Sequence, residues 1–127
     1  MSSEMDEKFG VLKISDDVIA IAAANATLKT EGIADLSGGF SDNFSKNILG
    51  KEPLYKGIKV SQSDEGIVID IFVVIKYNVK IPAVAWDVQN NVKREIEHMT
   101  GEKVLAVNIH VQGVHILEEG EHTYDEK

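Results

Sequence analysis

The stretch that decides the fold is IVIDIFVVIKY, which runs from Ile67 to Tyr77. Apolar side chains occupy every second position, the pattern of a β-strand with one face turned to a core. The predicted core face consists of Ile67, Ile69, Ile71, Val73, Ile75 and Tyr77. The opposite face is half apolar and consists of Val68, Asp70, Phe72, Val74 and Lys76. Such a face needs a cover, which a loop, a helix or another subunit could supply.

This strand is predicted to be the second arm of a β-hairpin. Ile58–Gln62 is the first arm, and the residues 63–66 (SDEG) form the turn, in which Gly66 can adopt a positive φ. Asp70 lies in mid-strand among apolar neighbours on the outer face. We therefore expect it to pair with a cross-strand lysine such as Lys59.

The residues before the hairpin predict a strand, a helix and a short second strand. Phe9–Ile14 has the composition of a strand, and Ser15 is a good N-cap for a helix that runs to about Leu28. Ile33–Leu36 is the short strand that follows. The helix holds five alanines, so it can pack closely on a sheet. Its predicted buried stripe is Val18, Ile21, Ala22, Asn25 and Leu28.

The residues after the hairpin predict a second helix and a last strand. Pro82 can open the helix, because its missing N–H costs nothing in the first turn, and the helix runs to about Met99. Its predicted buried stripe is Ala85, Val88, Val92, Ile96 and Met99. Val104–Val111 is the last strand, with Leu105, Val107, Ile109 and Val111 inward and with Asn108, His110 and Gln112 outward.

The resulting order, β-α-β-loop-β-β-α-β, predicts an α+β fold. We expect a two-layer sandwich in which a mixed β-sheet carries the two main helices on one face. The loop Ser37–Gly57 is the least regular part of the chain, and Asp42–Leu49 within it could form a short helix. A loop this long in so small a domain is predicted to be functional or partly mobile.

Length and charge limit the classes of protein to be considered. The chain has 127 residues and a net charge of −8, and six of those negative charges lie in residues 1–8 and 118–127. We expect both acidic tails to be disordered and residues 9–117 to form a single domain. An acidic chain does not attract phosphate backbones, so nucleic acid is not an expected partner. No signal peptide or membrane-spanning stretch is visible, which predicts a cytoplasmic protein without direct membrane insertion.

The motifs indicate no catalytic, cofactor or metal site. The chain has no cysteine, which excludes a thiol nucleophile, an iron–sulfur cluster and a cysteine-ligated zinc site. The four histidines lack the spacing of a shared metal site, and His110 and His115 are predicted on opposite faces of the last strand. Phosphate-binding glycine loops and nucleophile motifs are absent from the sequence.

Large aromatic side chains at predicted surface positions are the physical reason to suspect self-association. Trp86 falls off the apolar stripe of the second helix, and Phe72 lies on the outer sheet face. Each could instead cover a part of its own chain, but tryptophan is favoured as an anchor in protein interfaces. The candidate interaction surface is therefore Val68, Phe72, Val74 and Trp86, with the 37–57 loop beside it.

Six stretches resemble a known family of Gram-positive bacteria, the alkaline-shock proteins, also called the envelope stress response family. They are GVLKISDDVI (10–19), GI (32–33), GIKV (57–60), IDIFVVIKY (69–77), VQNNVK (88–93) and VLAVNIHVQGV (104–114). The resemblance covers about residues 9–116, and its most specific part is the closing V-N-I-x-V-x-G-V. Pro82 departs from the polar cap that many members carry at the start of the second helix.

The resemblance implies a small, non-enzymatic, cytosolic protein of cell-envelope homeostasis and stress response. Some members are held at the membrane by a separate anchor protein, and others are genetic neighbours of fatty-acid metabolism. Two hypotheses follow. The first is a scaffold or adaptor that acts by homo-oligomerisation and through a protein partner, with a membrane anchor protein as one candidate. The second is a regulator or small-ligand sensor of lipid metabolism with a pocket under the 37–57 loop.

Overall fold

The computed structural model describes residues 9–37 and 57–116, which form two α-helices and a four-stranded β-sheet. In chain order the elements are α1 (Asp16–Leu28), β1 (Ile33–Leu36), β2 (Ile58–Ser63), β3 (Gly66–Lys76), α2 (Ile81–Thr100) and β4 (Val104–His115). Both predicted acidic tails and the short helix predicted at Asp42–Leu49 lie outside the described residues.

Strand β3, the stretch with which the sequence analysis began, is the centre of the sheet. β2 pairs antiparallel with its first half and β1 antiparallel with its second half, on the same edge. The change of partner occurs at Phe72, whose amide donates to the carbonyl of Gly57 and whose carbonyl accepts from the amide of Ser37, each at 2.8 Å. β4 pairs parallel along the other edge, from Ile67 to Lys76 of β3. The sheet is therefore mixed.

Both helices cover one face of this sheet, which confirms the predicted two-layer α+β sandwich. The odd-numbered side chains of β3 from Ile67 to Ile75 are at most 1% exposed and belong to the same buried cluster as residues of α1 and α2. This continuous apolar layer between sheet and helices is the main source of stability expected for a domain of this size. Tyr77, predicted on the core face, follows the end of β3 and is exposed.

Helix α1 begins as predicted but buries a different face. Ser15 caps it, because its hydroxyl accepts from the amide of Val18 and its carbonyl accepts the first helical hydrogen bonds. The buried residues are Ile19, Ala20, Ala23, Ala24, Ala26 and Thr27. The predicted buried stripe was wrong, since Val18, Ile21 and Leu28 are about half exposed. The small alanines face inward because they allow the helix axis to lie close to the sheet.

Helix α2 follows the prediction closely. Its buried stripe is Val84, Val88, Val92 and Ile96, four residues apart, and Gly101 ends the helix in a left-handed conformation. Two predicted members of the stripe differ, because Ala85 is only half buried and Met99 is 43% exposed. At 100° per residue both lie within the arc of the buried stripe, but Ala85 is in the first part of the helix and Met99 is in its last turn.

The first predicted strand is absent. Residues 10–15 form neither helix nor strand, and Phe9, Val11 and Leu12 are exposed. The segment is held by Gln62, whose side-chain amide donates to the carbonyl of Ile14 at 3.0 Å and to a carboxylate oxygen of Asp16 at 2.8 Å. Composition alone suggested a strand here, but the contact with β2 is made by a side chain of Gln62 and not by a ladder of backbone hydrogen bonds.

Two register shifts in β4 alter the predicted orientation of its ends. One extra residue, Leu105, lies between the partners of Ile67 and Val68, and a second, Gln112, lies between the partners of Val73 and Val74. Leu105, predicted inward, is 43% exposed. Val111 keeps its predicted place opposite the core residue Val73, although it is 38% exposed. Such β-bulges reverse the alternation of side chains beyond them.

Two glycines permit close contacts that join the layers. At Gly32 φ is +102°, and a Cβ placed there would lie 2.6 Å from a methyl of Val84 on α2. At Gly66, where the hairpin turn ends, φ is +148° and a Cβ would lie 2.6 Å from the carbonyl oxygen of Lys103. A side chain at either position would clash in a conformation that L-residues rarely adopt.

Candidate functional site

The outer face of the sheet, opposite the helices, carries three of the four predicted interaction residues. Val68, Phe72 and Val74 alternate with the core residues of β3 and are each half buried. The predicted half-apolar face therefore exists, and these three side chains lie on it together.

A polar cluster lies in the middle of this apolar row. Oδ1 of Asp70 accepts a hydrogen bond from the side-chain amide of Asn108 at 3.1 Å and one from Nε2–H of His110 at 3.0 Å. The His110 ring also stacks on Phe72, with ring centroids 4.3 Å apart and an interplanar angle of 12°. Parallel pairing of β3 with β4 creates the cluster, since it places Asp70 opposite Asn108 and Phe72 opposite His110.

The electrostatics of the cluster favour an ionised Asp70. Partial burial acts to raise its pKa, but the hydrogen bonds from His110 and Asn108 and the nearby charges of His110 and Lys59 outweigh it and lower the pKa. Lys59 lies directly opposite on β2, as predicted. The prediction for Asp70 was nevertheless incomplete. Among the described residues, the group that lies within 4 Å of its carboxylate as an ion-pair partner is His110 and not Lys59.

The cluster has the parts of a carboxylate–histidine pair, but no serine or threonine of the described residues is hydrogen-bonded to it. The side-chain hydrogen bonds of Asp70 and His110 within the described residues go to each other and to Asn108. The arrangement can fix the His110 ring flat against Phe72 and join β3 to β4. Within residues 9–37 and 57–116, no group of three histidine or carboxylate side chains is placed to hold a metal ion.

The two β4 histidines share a face, contrary to the prediction. The bulge at Gln112 returns His115 to the outer face, where it lies opposite Lys76, while His110 lies opposite Phe72. Nε2 of His115 is buried without a hydrogen-bond partner. It borders a cavity of about 470 Å³ that Ala34 and Tyr77 also line.

Trp86 belongs to the other layer of the molecule. It is 64% exposed on α2, which packs on the inner face of the sheet. The structure therefore does not bring Trp86 together with Val68, Phe72 and Val74. Any partner that contacts both surfaces must reach across the edge of the sandwich, or two partners must be involved.

A further apolar surface escaped the sequence analysis, because its residues were assigned to the core. Val18, Ile21 and Leu28 of α1 are 46%, 51% and 47% exposed. They lie three and seven residues apart, which places them on one side of the helix, opposite the buried alanines. We call these three side chains the α1 stripe. The number of alanines was the one signal in the sequence that pointed to this orientation.

The comparison with known families agrees with this architecture. A family model for the alkaline shock protein 23 family, described as having a cell envelope-related function, matches residues 4–116. The chain belongs to this alkaline-shock family. The predicted resemblance to the alkaline-shock and envelope stress proteins of Gram-positive bacteria is thereby confirmed.

Relatives of this alkaline-shock-family chain occur in Bacillus subtilis and Streptococcus pyogenes. It is 37% identical over 118 residues to the uncharacterized protein YloU of B. subtilis, which covers 91% of this chain and 98% of YloU. It is 34% identical over 109 residues to the uncharacterized protein YqhY of the same organism, covering 86% and 80% of the two chains. A stress response regulator gls24 homolog of S. pyogenes is 25% identical over 112 residues, 88% of this chain and 63% of the relative.

No solved structure matches the chain significantly. The names of the family and its members connect this alkaline-shock-family protein with the cell envelope and with stress response, and they name no enzyme class. Neither helix within residues 9–37 and 57–116 is long and apolar enough to cross a membrane.

Proposed function

We propose that this protein is a non-enzymatic scaffold or adaptor in cell-envelope stress response and homeostasis. It acts in the cytoplasm by self-association and through a protein partner, and a membrane anchor protein would bring it to the membrane periphery. The family's connection with the envelope and with stress supports the biological setting. The physical support comes from the surface of the molecule.

The observation that carries the proposal is the apolar character of α1 on two sides. Its alanine face is buried against the sheet, and the α1 stripe is about half exposed. A helix with large apolar side chains opposite its buried face is normally covered on that side too, so we expect a second surface to pack on the stripe. A further copy of this chain or a partner protein would provide that surface.

The predicted interaction residues remain part of the proposal. Val68, Phe72 and Val74 form a short apolar row on the outer sheet face, and Trp86 is an exposed aromatic on the helix layer. Aromatic side chains of this kind contribute much of the binding energy in interfaces when they become buried. A scaffold with contact surfaces on both layers can join more than two molecules.

Sedimentation velocity tests self-association. We expect the full chain to sediment as an oligomer whose size grows with concentration. The double variant I21E/L28E places charges on the α1 stripe, where burial in an interface is costly, and should weaken assembly by about 100-fold or more. The variant K13Q/K103Q changes the net charge by the same two negative units at exposed positions away from the α1 stripe, Trp86 and the outer sheet face, and serves as the matched control.

The predicted surface is tested in the same way with F72S/W86S. We expect loss of assembly while the far-ultraviolet circular dichroism and the cooperative unfolding transition are retained. A monomeric wild-type chain at high micromolar concentration, or oligomers unchanged in both double variants, would contradict the self-association part of the proposal.

A cross-linked pull-down from the native cell tests the adaptor part. The chain is tagged at its C-terminus, and the membrane and soluble fractions are analysed separately. Near-stoichiometric recovery of one membrane protein is the expected result and would identify the anchor. Recovery of a soluble metabolic enzyme, with nothing at the membrane, would favour the alternative of a regulator of lipid metabolism.

A further inference from the structure

A groove lined by three basic side chains, Lys29, Arg94 and His98, lies between the two helices. It has a volume of about 490 Å³ and runs between the C-terminal turn of α1 and the second half of α2. Its lining residues are Ala26, Lys29, Asn91, Arg94, Glu95 and His98. The groove is in the helix layer and so is separate from the outer sheet face. Its volume falls in the range typical of small-molecule sites.

The central cation of the groove is held in place by a chain of hydrogen bonds that starts in the core. The hydroxyl of Thr30, which is 5% exposed, donates to the carbonyl of Ala26 at 2.9 Å. The same hydroxyl accepts from the side-chain amide of Asn91 at 2.9 Å, and the amide oxygen of Asn91 accepts from Nη2 of Arg94 at 3.1 Å. One guanidinium nitrogen is thus committed to the protein, which orients the remaining donors.

The charge in the groove is unusual for this chain. The sequence contains twelve lysines but only one arginine, and that arginine lies here. Within residues 9–37 and 57–116 the ion pairs are Lys93–Glu97 and His110–Asp70, so neither Arg94 nor Lys29 is neutralised at close range. Among the described residues that line the groove, Glu95 is the one carboxylate. A local excess of positive charge therefore lies on the surface of an acidic protein.

We propose that this groove binds the anionic group, a phosphate or a carboxylate, of a small metabolite. The guanidinium of Arg94 offers planar, paired donors that match such oxygens, and Lys29 adds a mobile ammonium at the rim. His98 contributes a ring nitrogen, and Glu95 can accept from a hydroxyl or amine elsewhere on the same ligand. The hydrogen-bond chain from Thr30 orders the Arg94 side chain before a ligand arrives. This lowers the entropy cost of binding an anion.

The test is a titration of the uniformly ¹⁵N-labelled full chain, followed by amide chemical shifts. Inorganic phosphate and sodium acetate are the two probes, each added at constant ionic strength against sodium chloride. We expect saturable shifts confined to the amides of residues 26–31 and 91–98, with a dissociation constant on the order of 1 mM for the preferred probe. The probe that saturates distinguishes a phosphate ligand from a carboxylate ligand.

Four variants test whether the groove binds anions or whether the Thr30–Asn91–Arg94 hydrogen bonds only hold the two helices together. R94Q should weaken binding about tenfold or more, and R94K should weaken it less, because charge is kept but the paired donors are lost. K29Q should weaken anion binding about threefold. Because Lys29 is exposed at the end of α1, we expect this substitution to leave the fold intact. K103Q removes the same charge outside the groove and should leave the affinity within about twofold of wild type.

The proposal is wrong if neither probe gives saturable shifts in the groove. It is equally wrong if the amide signals near lysines throughout the chain shift as much as those in the groove. Equal weakening of binding by K29Q and K103Q would also contradict it. Should R94Q not fold, which its amide spectrum would reveal, the comparison of K29Q with K103Q still decides between a binding site and a simple link.

Discussion

Replacing Asp70 with asparagine isolates the contribution of charge to the cluster on the outer sheet face. The asparagine side chain would keep the shape and one acceptor oxygen, so that His110 and Asn108 could still donate to it. A hydrogen bond to a charged acceptor contributes about 1.5–3 kcal/mol and a neutral one about 1 kcal/mol. The Asp70 side chain is 27% exposed, which reduces the difference. Because two such hydrogen bonds end on Asp70, the combined difference is about 1–4 kcal/mol before this reduction, and we expect D70N to have a free energy of unfolding about 1–2 kcal/mol below that of wild type at pH 7.

The pH dependence follows from the direction of the pKa shift. Burial acts to raise the pKa of Asp70, but the hydrogen bonds from His110 and Asn108 overcome it, so that in the folded chain the pKa lies below its ordinary value of 3.8. A carboxyl group with a lowered folded pKa stabilises the protein fully above its unfolded pKa and loses that contribution as the pH falls through the folded pKa. The gap between wild type and D70N should therefore close as the pH falls below 3.8.

Urea unfolding of wild type, D70N, H110Q and the double variant measures both quantities. At pH 7 the double-mutant cycle should give a coupling free energy of about 0.5–2 kcal/mol between Asp70 and His110. The N108D variant is unsuitable as a control because it adds a charge, whereas Q112A changes an exposed residue of the same strand and should be neutral. Equal stability of D70N and wild type at pH 7, or a gap that persists unchanged at about pH 2.5, would refute the reasoning.

Two further substitutions, G32A and E97A, test the contacts between layers, and K93A is the comparison for E97A. G32A should lower the free energy of unfolding by about 2–4 kcal/mol, because the new methyl would lie 2.6 Å from Val84 at a φ of +102°; chemical denaturation measures this. E97A should cost about 1 kcal/mol, and K93A less than about 0.5 kcal/mol, in thermal or urea unfolding at pH 7. The reason is that Glu97 accepts from the amide of Val104 at 2.9 Å as well as from Lys93 at 3.1 Å. Both contacts lower the pKa of Glu97, so the difference in stability between E97A and K93A should shrink below pH 4.5.

The architecture could be predicted because β3 and α2 follow simple periodicities. In β3 every odd position from Ile67 to Ile75 faces the core, so an alternation of two identifies the strand and its inner face. In α2 the buried residues from Val84 to Ile96 recur every four positions, which is close to the period of the helix. Long elements with one strongly apolar face leave little freedom for another arrangement.

Helix α1 could not be oriented from the same rule, because the rule counts large apolar residues. Val18, Ile21 and Leu28 dominate the hydrophobic pattern, yet the alanines are buried. Close approach of the helix to the sheet favours small side chains at the contact, and the larger ones then have to lie outside. The error has a physical meaning, since it identifies the α1 stripe as apolar surface that is about half exposed in the part of the chain that the structure describes.

The polar cluster could not be found from sequence for a different reason. Asp70, Asn108 and His110 were each expected on the outer face, but nothing in the sequence told which strand lies beside β3. Parallel pairing with β4 brings the three together, 38 and 40 residues apart in the chain. The bulge at Gln112 is equally invisible in a pattern of single residues, and it alone places His115 on the face of His110.

The sandwich keeps the three candidate surfaces apart, which makes their roles separable. The outer sheet face around Phe72 and the groove around Arg94 lie on opposite sides of the buried layer of β3. The α1 stripe is on the same helix as the groove's Ala26, but it points away from the buried alanines. Loss of assembly in I21E/L28E with unchanged phosphate shifts would therefore separate self-association through the stripe from anion binding in the groove. If R94Q instead abolished assembly together with anion binding, ligand and oligomer would be thermodynamically linked, and added phosphate would have to shift the sedimentation of the wild-type chain by the same coupling.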